Sequence, residues 1–169
     1  MRDLVVARFR RPMALLPLGC AVAIALSPQL ASAAPGGAFS SFAGEWTGVG
    51  RLFGADGKTA PLRCRETNVV SDDNISLTQT LVCANERYRG EFHVTLFTDG
   101  HIVRGTFQDV ARGAGGNVYG QVARGAIVAT ITAPGVRALL SAKTSANRQD
   151  VTVEPEGGQL RRVTVTMRR

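Results

Sequence analysis

Three polar side chains, Glu66, Asn68 and Gln79, fall in the apolar phase of two neighbouring alternating segments, RETNVV and SLTQTLVC. If residues 60–72 and 75–84 form a hairpin closed by Asp73-Asn74, its rungs pair Asp72 with Ile75, Val70 with Leu77, Asn68 with Gln79, Glu66 with Leu81 and Cys64 with Cys83. Side chains two apart along a strand share a face. Glu66 and Asn68 then look the same way as Cys64 and Val70, and Gln79 the same way as Leu77 and Leu81. Burying a carboxylate without a partner costs several kcal/mol. Either a bulge or a barrel mouth returns these groups to water, or they line a small cavity and orient a bound molecule. Trp46 and Tyr88 are the aromatic side chains that could wall such a cavity.

The same register sets Cys64 directly opposite Cys83, where a cross-strand disulfide is geometrically allowed. Closing that loop should stabilise the fold by roughly 3 kcal/mol. A metal pair is the poorer reading, because there is no C-x-x-C and neither His93 nor His101 completes a ligand set at a familiar spacing. No metal and no cofactor is expected.

These residues need strands to position them, and the chain reads as strands almost throughout its length beyond residue 44. Apolar and polar residues alternate over 45–53, 60–68, 75–84, 88–97, 102–109, 117–124, 126–132, 136–143, 149–154 and 160–168. Turn signals separate them: ADGK, SDDN, TDG, ARGAGG, APG, SANR and EPEGG. No segment is long enough to be the crossover helix that a parallel sheet requires. The expected architecture is all-β: one antiparallel meander barrel of about eight to ten strands over residues 44–169, with one disulfide. A sandwich is the other option. Glycines inside the strands suit a strongly curved sheet. Ahead of the first strand, segment 34–43 contains GGAFSSFAG, which reads as a helical turn with Phe39 and Phe42 covering one barrel end.

Residues 1–33 read as a cleaved secretory signal. Arg2, Arg8, Arg10 and Arg11 precede an apolar run from Pro12 to Leu26 and the small-residue site Ala31-Ser32-Ala33. The run is shorter than the ~20 apolar residues of a spanning helix. Arg10-Arg11 lacks the polar residue of a twin-arginine signal, and Pro17 sits where a lipoprotein box before Cys20 wants an aliphatic residue. The expected location is periplasmic or secreted, with no transmembrane segment after cleavage. That compartment suits a Cys64–Cys83 disulfide.

The whole chain carries a net charge of +7, and removal of residues 1–33 leaves +4. No dense Lys/Arg run with interleaved aromatics is present, which argues against nucleic acid as a partner. Arg63, Arg65, Arg161, Arg162, Arg168 and Arg169 blunt strand faces and edges, or meet an anionic component of the envelope. The sequence contains no G-x-S-x-G or H-E-x-x-H motif, and the two histidines read as surface residues. An enzyme is not expected.

The stretch GEWTGVG, residues 44–50, resembles the opening G-x-W motif of the lipocalins and their calycin relatives, including the avidin-like barrels. That resemblance implies that Trp46 packs across the closed end of a barrel. A G-x-W start with one disulfide is similar also to bacterial metalloprotease inhibitors of this barrel type. The run F-A-G-x-W, with Cys64-Arg65 and Cys83-Ala84, resembles small exported proteins of alpha-proteobacteria. The lipocalin T-D-Y element has only Thr98-Asp99-Gly100 as a counterpart, which reads as a hairpin turn. The functional expectation is an exported, non-catalytic protein that captures a small apolar or amphipathic ligand. Trp46, Glu66, Asn68, Gln79 and Tyr88 are its contacts. The alternative is a protein-interaction role: an inhibitor of an exported protease or an envelope-associated protein, using the N-terminal segment or the basic last strand.

Overall fold

The computed structural model describes residues 36–169. The expected signal peptide and Cys20 lie outside the described residues. A short 3-10 turn, Ser40–Phe42, precedes ten antiparallel strands: β1 (Gly44–Gly54), β2 (Thr59–Val70), β3 (Ser76–Ala84), β4 (Arg89–Thr98), β5 (Ile102–Asp109), β6 (Ala114–Ala123), β7 (Ala126–Ala133), β8 (Val136–Ser145), β9 (Arg148–Pro155) and β10 (Leu160–Arg168). Each strand pairs with the next in sequence, and β1 pairs with β10 to close the barrel. Closure leaves no free sheet edge. Among the described residues no helix is long and apolar enough to cross a membrane.

The β2–β3 register is the one read from the sequence: Cys64 faces Cys83, Glu66 faces Leu81, Asn68 faces Gln79 and Val70 faces Leu77. Cys64 and Cys83 form a disulfide with their Cα atoms 4.1 Å apart. The connection differs in detail. It is wider than the two-residue turn: the last rung joins Ser71 to Ser76 by a 3.1 Å backbone hydrogen bond, and residues 72–75 form the loop. Asp73 accepts from the Ile75 N–H, and Asn74 adopts a left-handed φ of 58°. The loop therefore takes Ile75 out of the ladder, and it lies exposed rather than inward. Four residues replace two without changing the parity of the ladder, so every inward assignment beyond the turn survives.

Inward positions on neighbouring strands are unusually small: Gly48 and Gly50 on β1, Gly105 on β5, Gly116 and Gly120 on β6, Ala129 on β7, and Ala138 and Ala142 on β8. At Gly105 an added Cβ would collide with the Thr95 carbonyl oxygen, and at Gly120 with that of Val128. Glycine lets the strands coil this closely. Barrel width grows with strand number, and about eight strands already leave an interior just wide enough for side chains or one small ligand. With ten strands and small inward residues, several inward side chains stay only half-buried.

The two ends of the barrel differ. At the end carrying the β2–β3, β4–β5, β6–β7 and β8–β9 hairpins, inward side chains are fully packed: Trp46, Leu77, Leu96, Val103, Val118, Val122, Ile127 and Met167. Phe39 and Phe42 of the N-terminal turn join this core, as the sequence pattern anticipated. Toward the opposite end Leu62, Cys83 and Ala138 are buried, while Leu52, Phe107, Ile131, Leu140 and Val163, with Leu81 midway along β3, pack against the core but remain half-buried.

Candidate functional site

The closed end is built around a backbone carbonyl. The Ser40–Phe42 turn presents the Phe42 oxygen to the interior, where the Trp46 indole Nε1 donates to it at 2.9 Å and the Asn68 Nδ2 donates at 2.9 Å. Trp46 is completely buried. The Arg169 guanidinium lies 4.4 Å from its ring centroid and donates to the carbonyls of Ser41, Ala43 and Ala146. Arg169 thereby ties the N-terminal segment to the β8–β9 turn across the tryptophan face. Trp46 closes the floor of the barrel instead of walling its open space.

Immediately above lies Glu66, only 1% exposed. Asn68 Nδ2 also donates to Glu66 Oε1, and Gln149 Nε2 donates to both carboxyl oxygens at 3.0 and 3.2 Å. Loss of hydration pushes the Glu66 carboxyl above its ordinary range, and the amide donors of Gln149, Asn68 and Gln79 oppose that rise without cancelling it. Its rung partners are Trp46 on β1 and Leu81 on β3, neither of them charged. Gln79 faces inward from β3 and is half-buried. It joins the sealed floor to the accessible half of the interior.

Gln149 was missing from the set read in the sequence. The signal was its phase, since Gln149 alternates with Val151 and Val153 on one face of β9. What the sequence could not show is that closure brings β9 within two strands, β10 and β1, of β2. The two are not neighbours, and only closure brings them together.

Tyr88 sits at the opposite end, half-buried against the cluster that contains the disulfide. The Arg112 guanidinium is 5.0 Å from its ring centroid, and Arg112 Nη1 donates to the buried Asp109 carboxylate at 2.7 Å. Asp109 also accepts from the Arg112 backbone N–H at 3.2 Å. Trp46, Glu66 and Asn68 thus share the closed end, Gln79 stands between, and Tyr88 belongs to the rim of the open end. His93 and His101 are exposed, and Thr98-Asp99-Gly100 forms the β4–β5 turn, with Asp99 accepting from the His101 and Ile102 N–H groups. Among the described residues no group of three or more His, Cys, Asp or Glu side chains gathers to hold a metal ion.

The barrel fold recurs in solved structures. The crystal structure of Rv2717c from M. tuberculosis superposes with a TM-score of 0.63 at 14% identity, covering 80% of this chain and 98% of that one. A protein of unknown function from the DUF3598 family of Nostoc punctiforme gives a TM-score of 0.55 at 15% identity, over 78% of this chain and 48% of the other. The S-type phycobiliprotein lyase of Guillardia theta gives 0.54 at 12% identity, over 78% and 89%. No protein-family model matches the sequence, and no curated protein is significantly similar to it. The likeness is one of fold, a closed antiparallel β-barrel.

Two hollows also indent the outer wall, one over β1–β3 beside Arg63 and Arg65 and one over β4–β6 beside His93 and Gln108. Both are wide open to solvent, and neither touches Glu66, Gln79 or Gln149. Hollows that shallow surround too little of a small molecule to hold it. The interior, with its buried polar groups, is the better candidate.

Proposed function

We propose that this protein is an exported, non-catalytic carrier that takes a small apolar or amphipathic molecule into the open half of its barrel. The observation that carries the reading is the retained accessibility of inward apolar side chains, Leu52, Leu81, Phe107, Ile131, Leu140 and Val163, above a fully packed floor. Apolar surface held open to solvent on a concave wall is favourable to cover, at about 25 cal/mol per Å². Tyr88 is the aromatic group at the rim, and Gln79 is the polar group within reach of a molecule inserted to the floor. The similar barrel of Guillardia theta is named a phycobiliprotein lyase, which supports a small-molecule role for the interior. Export is supported by the disulfide.

The competing reading is a protein-interaction role through the N-terminal segment, and the packing weighs against it. Phe39 and Phe42 are 0% and 2% exposed, and Arg169 holds the intervening carbonyls. A partner would have to extract the cap of the barrel to use them.

Native mass spectrometry of protein isolated from its own source, with an environment-sensitive anilinonaphthalene dye as displacement probe, tests the carrier reading. A retained small molecule that competes with the dye is expected. Failure of dye and simple apolar probes alike to bind the folded protein would overturn it.

A further inference from the structure

The polar floor has a direction. The Phe42 carbonyl can only accept, so the Asn68 atom that faces both it and Glu66 is the amide nitrogen. Gln149 likewise turns its nitrogen to the carboxyl group. With both N–H groups committed, the Asn68 Oδ1 and Gln149 Oε1 oxygens are left buried without a hydrogen-bond partner, on side chains 4% and 2% exposed. Gln79, whose amide also bears on Glu66, is half-buried beside them. The unpartnered amide atoms around Glu66 are therefore acceptors, and the hydroxyls of Ser41 and of Thr144, the rung partner of Gln149, are also buried without a partner. Unpaired buried acceptors are uncommon in folded proteins and costly to leave so.

No compensating cation is present inside. Among the described residues, no inward strand position carries Lys or Arg, and the Asp109 carboxylate at the rim is already paired with Arg112. From the mouth to the floor, a ligand meets apolar walls and then acceptor oxygens gathered around one carboxyl group. We propose that the molecule carried by this barrel is an amphipathic cation or N–H donor, an amine-type head on an apolar body, whose head is received by Glu66 with Gln79 and the unpartnered amide oxygens of Gln149 and Asn68. The head supplies charge and N–H donors to these oxygens, and the body covers the half-buried wall. A carboxylate-headed lipid is disfavoured, because it brings acceptors to acceptors and negative charge toward Glu66. This assignment rests on the carrier reading above.

Decylamine, decanol and decanoate share one chain length and differ only in the head. Their affinities for the purified protein, measured by calorimetry or by the fluorescence of the single tryptophan, separate the two readings. Decylamine should bind roughly ten- to hundred-fold more tightly than decanol, the range set by hydrogen bonds to a charged group, and decanoate should bind weakest. Glu66→Gln should erase the amine preference, bringing decylamine affinity down to that of decanol for the same variant. Gln79→Leu, at a half-buried position that tolerates change, should lower amine affinity more than decanol affinity, which keeps the test alive if the Glu66 variant does not fold. Equal binding of the three probes, or preference for decanoate, overturns the amine assignment and leaves the carrier reading standing. Binding of none of them overturns both.

Discussion

The two ends of this barrel obey the same alternation of inward and outward residues, yet at one the large inward side chains are buried and at the other several stay half-buried. The difference comes from fewer than ten residues outside the sheet. At the closed end, the Ser40–Phe42 turn inserts Phe39 and Phe42, Trp46 bonds to its last carbonyl, and Arg169 seals the outer face of the indole. At the open end no such segment crosses among the described residues, and the rim is lined by Tyr88 under Arg112. Strand pattern alone thus builds the wall, and capping decides which half can receive a guest. If that contrast is real, the halves must respond differently to the same kind of substitution.

The largest effect is expected from Trp46→Ala. Deleting a fully buried aromatic costs about 3–5 kcal/mol, and here it also removes one of the two donors to the Phe42 carbonyl and exposes the contact face of Arg169. Phe107→Ala in the half-buried zone should lose less than half as much. Urea denaturation of both variants gives the comparison directly. Similar losses at the two positions would mean that the open half is as tightly packed as the floor.

Next comes the disulfide. Replacing Cys64 and Cys83 together by serine should cost roughly 3 kcal/mol, from the greater freedom of the unfolded chain. Dye affinity should survive in whatever fraction remains folded, because the bridge lies within the wall beside the cluster of Leu62, Val165 and Met167. A folded double variant that no longer binds the dye would show that the bridge shapes the interior as well as stabilising it.

Much of this was legible in the chain. The Cys64–Cys83 rung, the inward phase of Glu66 and Asn68, the ten strands and the cap by Phe39 and Phe42 all follow from local rules: period-two alternation, turn residues and parity across a hairpin. Turn width was less legible. Asp73-Asn74 suits a two-residue turn, but Ser71 and Ser76 pair instead and Asp73 bonds within the loop. What stayed hidden depends on closure. Gln149 reaches Glu66 across 83 residues of sequence, and Asp109, Arg112 and Tyr88 meet because the β3–β4 and β5–β6 connections share one rim. No local periodicity encodes a contact across a lumen.

A smaller effect on stability, but a clear one on binding, is expected from filling the open half. Ile131→Trp puts a large ring where the inward wall is only half-buried. In a packed core such a change costs about 1–3 kcal/mol. Here the expected change is within about 1 kcal/mol of zero, since the added ring covers exposed apolar surface. Dye and decylamine binding should fall at least ten-fold. A strong destabilisation would show that the space is already occupied by side chains.

The finest test concerns the charge state of the floor. Burial raises the Glu66 carboxyl above its ordinary value of 4.5, so the folded protein holds that proton more tightly than the unfolded chain. Such a group contributes its full stability below the unfolded value and loses it as pH climbs through the raised folded one. Its neighbours Trp46, Leu81, Gln79, Asn68 and Gln149 do not titrate in this range. The carboxylates held low, Asp56, Asp73, Asp99 and Asp150, act in the opposite sense, their contribution being lost as pH falls below 3.8. The melting temperature should therefore decline as pH rises above 4.5 and through the raised value of Glu66. Glu66→Gln should flatten that decline, because an amide has no proton to lose and can offer N–H donors to the unpaired oxygens of Asn68 and Gln149. Bound decylamine should flatten it as well, by pairing the ionised carboxylate. A decline that persists unchanged in the Glu66 variant would place its origin elsewhere and remove the floor's claim to a buried, proton-holding carboxyl group.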